Sequence, residues 1–161
     1  MPILFVLAFI ILVIILIATK KGGVKPSSHY KKRPSVMNSS ERELYLILKN
    51  TLADKFIILS KVRIEDFVDA DNQSLEWRKR QSLRGRIKSR HVDFLICNLF
   101  TTEPLYAIEL DGYSHRGDSK IERDIFVDEL YKNIGLPIEH IRVGSNFADE
   151  VERIKNLLIT K

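Results

Sequence analysis

The stretch "AIELDGYSH", Ala107 to His115, ends an apolar run with two carboxylates, Glu109 and Asp111, then a glycine and a histidine. A second apolar run, "HVDFLIC", carries Asp93 between His91 and Cys97. If the two runs form a hairpin centred on Thr101, Asp93 lies opposite Glu109 and His91 opposite Asp111. Side chains alternate along a strand, so all four then project from one face. Val92, Phe94 and Ile96 would meet Tyr106, Ile108 and Leu110 on the other, core-like face. Three carboxylates that close repel one another, and apolar surroundings raise the cost. A cation must compensate. Lysine or arginine could do so in a salt-bridge cluster, and so could a divalent metal held by Asp93 and Glu109. Oxygen donors suit Mg²⁺ or Mn²⁺ better than zinc. His115 follows a "GYS" turn after Asp111 and is placed to act as a general base or to touch a phosphate.

Other ionisable groups admit plainer readings. Glu41 ends "NSSE", a capping-box pattern with Asn38 as N-cap, and could be only a cap. His91 could be a strand-edge residue, and Arg123 and Asp124 a solvated helical face. Arg142, set in the apolar "HIRV", calls for an acidic partner. Cys97 is the single cysteine, which excludes an intrachain disulfide. Its apolar setting reads as core rather than nucleophile, and no Cys/His zinc spacing exists.

Arg78, Lys79, Arg80, Arg84, Arg86, Lys88 and Arg90 follow Trp77 with no acid among them. Such a run suits phosphate contacts and salt-dependent nucleic-acid binding. It reads equally as a solvated or membrane-facing surface. The formal net charge of +5 agrees with anionic partners without choosing among them.

These groups need a scaffold. Leu44, Tyr45, Leu48 and Leu52 have helical spacing, and "FIILSKVRI", Phe56 to Ile64, reads as a strand. Ser74 to Arg90 is expected to be helical at first and loose around Gly85. Two strands follow, then a helix from Ile121 to Ile134 with Ile121, Ile125, Leu130 and Ile134 inward, closed by Gly135. "PIEHIRV" is a strand and Phe147 to Ile159 a last helix. The order predicts a mixed sheet flanked by helices, of the α/β (α+β) class.

The first residues have a different character. Ile3 to Ala18 are all apolar, and the run approaches the roughly 20 residues that span a bilayer. Lysines follow it and none precede it. The expectation is a single-pass transmembrane helix over 1–19, a basic juxtamembrane linker over 20–37 and an α/β domain over 38–161. The positive-inside rule then places the N-terminus outside and the domain on the cytoplasmic side of the cytoplasmic membrane.

Taken in order, "HVDFLIC", "AIELDGYSH" and "ERDIFVDELYKNIGLPIEHIRV" resemble the family called domain of unknown function 2726. The order of Asp-Phe, Glu-x-Asp-x-x-His, Arg-Asp, Gly and Arg is also similar to the very-short-patch-repair endonuclease group. That group belongs to the restriction-endonuclease-like, or PD-(D/E)xK, superfamily. The resemblance covers roughly Met37 to Val143, plus the apolar N-terminus. It implies an αβββαβ core and divalent-metal phosphodiester chemistry. It further implies that Asp93 is the strand aspartate that binds metal, that Glu109 is the second acid, and that Glu41 is the acid of the first helix. His115 matches the histidine of the very-short-patch group, a candidate base. Arg123 and Arg142 match positions to which it attaches no role. Asp111 stands where the superfamily motif has lysine.

The expected function is a membrane-anchored, nuclease-like domain that hydrolyses phosphodiesters with a divalent metal or binds nucleic acid. The alternative is the same fold as a catalytically inactive interaction module tethered to the membrane.

Overall fold

A computed structural model describes residues 5, 9–13, 30–69, 75–112 and 118–160, with the backbone alone over 118–124. The chain divides into two compact units, Met1–Val36 and Met37–Lys161. Residues 9–13 of the first are helical, with exposed side chains.

The expected membrane helix is corrected. Among the described residues no helix is long and apolar enough to cross a membrane. The single-pass topology, and the cytoplasmic-membrane location drawn from it, fall with that helix. Much of the apolar run and of the basic linker, residues 1–4, 6–8 and 14–29, lies outside the described residues.

The second unit is an α+β fold. Its elements are α1 (Ser39–Leu52), β1 (Phe56–Arg63), a 3₁₀ turn (Ile64–Asp66), α2 (Trp77–Ile87), β2 (His91–Asn98), β3 (Pro104–Asp111), α3 (Asp118–Ile134), β4 (Ile138–Arg142) and α4 (Phe147–Ile159). The four strands form one mixed sheet in the order β1-β2-β3-β4. β1 and β3 each run antiparallel to β2, while β4 runs parallel to β3. A parallel neighbour requires a crossover, which α3 supplies.

Each helix starts and stops for local reasons. Asn38 Oδ1 accepts the Glu41 N–H at 2.9 Å, and Glu41 Oε2 accepts the Asn38 N–H at 2.9 Å, which closes the capping box of α1. Gly135, at φ +70°, ends α3. There the Leu136 N–H reaches back to the Tyr131 carbonyl at 3.1 Å, and a left-handed residue at this point favours glycine. α2 runs unbroken through Gly85, against the expected loosening.

Both faces of the sheet are covered. On one, Leu44, Leu48 and Leu52 of α1 and Phe147, Val151 and Ile154 of α4 bury Phe94, Ile96, Tyr106, Ile108 and Ile141. On the other, Ile64, Val68, Ile87, Tyr131 and Leu136 cover Val92, Leu95, Cys97 and Ala107. Ile125 and Ile134, expected inward, are 53% and 43% exposed. Leu130 packs inward as expected, beside Phe126, Val127 and Tyr131, so the stripe is displaced by about one residue at Ile125 and Ile134, and the side chain of Ile121 lies outside the described residues.

The β2–β3 register follows the hairpin expectation through Phe94↔Ile108, Leu95↔Ala107 and Ile96↔Tyr106, then shifts towards the turn, where Cys97 pairs with Pro104. One expectation about faces fails. Val92 packs with Leu95 and Cys97, not with Phe94 and Ile96. The cause lies next door in β1. Lys61 has φ +55°, and the β1–β2 ladder passes from Ser60↔Phe94 to Val62↔Val92 without a Lys61–Asp93 step. A left-handed residue inside a strand breaks the two-residue alternation. Here the break frees Lys61 and Asp93 from the regular pleat.

Candidate functional site: a lysine-bridged carboxylate cluster

Asp93 is buried among the strands, at 8% exposure. Its two oxygens have separate partners. Oδ2 accepts the Leu110 N–H of β3 at 2.9 Å, so the carboxylate takes an amide of the neighbouring strand. Oδ1 accepts from Lys61 Nζ at 2.6 Å. The same ammonium donates to Glu41 Oε1 at 2.7 Å. Glu41 therefore caps α1 through one oxygen and joins the cluster through the other. Burial works against the Lys61 charge, but the hydrogen bonds and negative charges of Asp93 and Glu41 outweigh it and raise the lysine's pKa.

Glu109 completes the cluster from β3. Burial, reinforced by the negative charge of Asp93 and a hydrogen bond with it, pushes its pKa up to about 8. Lys61 opposes that shift and Asp111 adds to it. Burial and the neighbouring Asp93 charge thus favour the protonated form of the Glu109 carboxyl. Tyr131 of α3 lies fully buried on the same side, with no hydrogen-bond partner for its hydroxyl among the described residues. Burial and the charge of Glu109 raise the pKa of its phenol.

Beside Glu109 opens a cleft of about 320 Å³, bordered by Ser89, Arg90, His91, Asp111, Gly112 and His140. Asp111 is in register with Arg142 of β4, and its Oδ2 lies 3.7 Å from His140 Nδ1. His140 Nε2 stands 3.1 Å from Asp128. Exposed Arg142 has no ion-pair partner among the described residues, contrary to the acidic partner expected of it.

Asp93, Glu109 and, through Lys61, Glu41 thus come together. Asp111 is one alternation further along β3, at the cleft wall. His115 lies outside the described residues, as does the side chain of Arg123. The basic run does not act as one surface. Arg78, Lys79 and Lys88 are exposed, and Arg80 is half-buried with no hydrogen-bond partner for its Nε among the described residues. Arg84 donates to Glu65 at 3.0 Å. Arg86 stacks on Phe126, and Arg90 borders the cleft. Burial holds the Cys97 thiol above its ordinary pKa, which agrees with a core role.

Two site residues escaped the sequence reading. Lys61 follows the run "FIILS" in the middle of the strand "FIILSKVRI", a cation where a buried strand is expected, and that signal is present in the sequence. His140 meets Asp111 only through the parallel β3–β4 register, which local pattern does not reveal.

Asp93 and Glu109 are a chemically sensible pair of oxygen donors for a hard divalent ion, since two neighbouring carboxyl groups offer hard oxygens and favour a positive charge close by. Among the described residues no group of three or more His, Cys, Asp or Glu side chains is arranged round a metal position. A two-carboxylate set leaves the remaining ligands to water and substrate oxygens, as is usual for Mg²⁺.

Comparison with known proteins gives one match. The family model described as "Protein of unknown function (DUF2726)" matches residues 32–160. No curated protein and no solved structure matches the chain.

Proposed function

The chain belongs to the DUF2726 family, and from its site we propose a restriction-endonuclease-like domain that acts on phosphodiesters with a divalent metal. One observation carries the reading: Lys61 Nζ stands 2.6 Å from Asp93, whose other neighbour is Glu109. An acid pair with a lysine beside it is the chemistry that the sequence lacks at Asp111. β1 provides the lysine instead of β3.

Asp93 and Glu109 would hold Mg²⁺ or Mn²⁺. When bound, the ion supplies positive charge at the phosphate and lowers the pKa of a coordinated water. Lys61 holds Asp93 in place by donating to Oδ1. Its ammonium is the cation of the cluster that can steady negative charge developing on a phosphate. Glu41 fixes Lys61 from the opposite side. Tyr131 and the apolar wall behind Glu109 exclude water from the back of the pair and strengthen each charge interaction.

The test is cleavage of mixed DNA and RNA substrates with and without Mn²⁺, comparing the wild type with Glu109→Gln. The proposal expects metal-dependent cleavage that the variant loses by at least about 100-fold, the scale of losing a main electrostatic group. Cleavage that is equal in the two proteins rejects it.

A second reading has its own support. The bridge from Lys61 to Glu41 and Asp93 ties α1 to the sheet without any metal. On that reading the cluster is a structural lock in an inactive binding module. Lys61→Met would then lower the melting temperature of a protein that cleaves neither nucleic acid.

A further inference from the structure

Within the phosphodiester reading, on which this inference rests, we infer that the nucleic acid is single-stranded and lies along α2. Trp77 stacks one base, and Arg80 with Arg84 holds the adjoining phosphate.

These three residues share one flank of the helix. They follow one another at steps of three and four, the spacing of neighbours on a helix surface. Trp77 opens α2, is 67% exposed and is the single tryptophan of the chain. Arg80 and Arg84 border a cleft of about 560 Å³ between α2 and the 3₁₀ turn, with buried Val68 and Ile87 behind them. At 1.5 Å of rise per residue, Trp77 and Arg80 are about 4.5 Å apart along the axis, within the reach of one nucleotide.

The two guanidinium groups differ in their ties. Arg84 donates through Nε to Glu65 at 3.0 Å. Arg80 is half-buried, and its Nε has no hydrogen-bond partner among the described residues. A buried donor without an acceptor is destabilising. Like charges four residues apart on a helix repel. An anion seated between the two arginines relieves both: it gives Arg80 an acceptor and separates its charge from that of Arg84. The acids of the cleft do not fill that place. Glu65 accepts from Arg63 at 3.1 Å as well as from Arg84, and Asp66 accepts from Arg63 at 2.7 Å. Asp69 is exposed at the border of the cleft, where salt screens its charge.

The combination selects the ligand. A free phosphate would use the arginines and leave the indole idle, and a duplex keeps its base faces stacked on one another. A single strand offers a phosphate and an open base face together. An aromatic platform beside a cationic groove is the chemistry of sequence-tolerant single-strand binding. This cleft adjoins the proposed hydrolytic site: Ile64 borders the Glu109 cleft, while its chain neighbours Arg63 and Glu65 border this one.

The experiment follows Trp77 fluorescence as a short oligothymidylate is added to the full chain in EDTA, across a salt series. A blunt duplex of the same length is the comparison. With one tryptophan in the chain, the signal reports this position alone. Variants are compared by anisotropy of the labelled oligonucleotide. The single strand should quench Trp77 and bind at least about tenfold more tightly than the duplex. Trp77→Ala should weaken binding about tenfold with the salt slope unchanged, and Trp77→Phe should keep most of the affinity. Arg80→Ala should weaken it about tenfold and lower the slope by about one, whereas Arg80→Lys keeps the slope. Lys79→Ala, which removes an exposed charge from the other flank of α2, should bind as wild type. The inference is overturned if the wild type does not bind the strand, if it binds without quenching, or if the duplex binds as tightly. It is equally overturned if Trp77→Ala or Arg80→Ala binds as wild type, or if Lys79→Ala loses as much as Arg80→Ala. Metal is absent throughout, so the outcome separates from that of the hydrolysis proposal. Trp77-dependent binding without cleavage rejects hydrolysis and keeps the strand site; cleavage with Trp77-independent binding does the reverse.

Discussion

Lys61 Nζ lies 2.6 Å from Asp93 Oδ1, although the two residues are skipped in the ladder that joins their strands. The positive φ of Lys61 and the turn of Asp93 towards the Leu110 amide are two sides of one local departure from the pleat. A lysine pays for a left-handed backbone with about 1 kcal/mol or more. The two charge-assisted hydrogen bonds it gains, each worth about 1.5–3 kcal/mol, outweigh that cost.

Substitution at Lys61 should therefore separate charge from backbone. Lys61→Met leaves Glu41 and Asp93 without their cation and should destabilise the domain by about 1–3 kcal/mol. That is below the roughly 3–5 kcal/mol of a fully buried pair, because the lysine side chain is 29% exposed. Lys61→Gly removes the same charge but relieves the left-handed strain, so it should be less destabilising than Lys61→Met. Urea unfolding of the two variants checks the order. Lys61→Gly proving the less stable would show that strain is not stored there.

The raised pKa of Glu109 predicts a pH dependence with a definite sign. The folded form holds a proton up to about pH 8, against an ordinary value of 4.5 for the unfolded chain. Between those values the folded state binds more protons, so this group's contribution is full below 4.5 and is lost as pH rises towards 8. The loss is on the order of a few kcal/mol. Glu109→Gln, which cannot ionise, should flatten the decline in melting temperature across that window and be the more stable protein at its upper end. An identical decline in both proteins would contradict the assignment.

Asp93→Asn tests the same pair from the other side. Asparagine can still accept the Leu110 N–H, but it brings no negative charge to Glu109. The Glu109 pKa should fall towards the ordinary carboxylate range, although burial keeps it from reaching it. Carbonyl-labelled NMR titration of Glu109 reads the change. An unmoved titration would mean that burial alone sets the value.

Tyr131→Phe removes a buried hydroxyl that has no partner among the described residues. An unpaired buried hydroxyl costs about 1–3 kcal/mol, so the variant should be neutral or more stable in thermal unfolding. A clear destabilisation would show that the hydroxyl has a partner in solution.

Much of this architecture is written in local pattern. The capping box at Asn38 and Glu41, the hairpin register over Phe94–Ile96 and the glycine stop at Gly135 are short-range features, and all three stand in the structure, although the register shifts nearer the turn. What was not legible is long-range or irregular. The ion pairs of Lys61 and the meeting of His140 with Asp111 each join residues far apart in sequence. Strict alternation misplaced Val92 because it assumes a regular pleat, and Lys61 breaks it. Hydrophobic spacing alone misplaced the inward stripe of α3, because the packed positions there include Phe126 and Tyr131. The apolar N-terminus suggested a membrane helix by composition, yet no helix among the described residues meets the length and apolarity required.

The central claim is that Asp93 and Glu109 accept a divalent ion. Its most direct test is calorimetric titration of Mn²⁺ into the wild type and Asp93→Asn at pH about 8, where Glu109 gives up its proton most readily. The account predicts one saturable site in the wild type and its loss in Asp93→Asn, with both proteins folded by circular dichroism. An absence of binding in the wild type, or an unchanged isotherm in the variant, would contradict it.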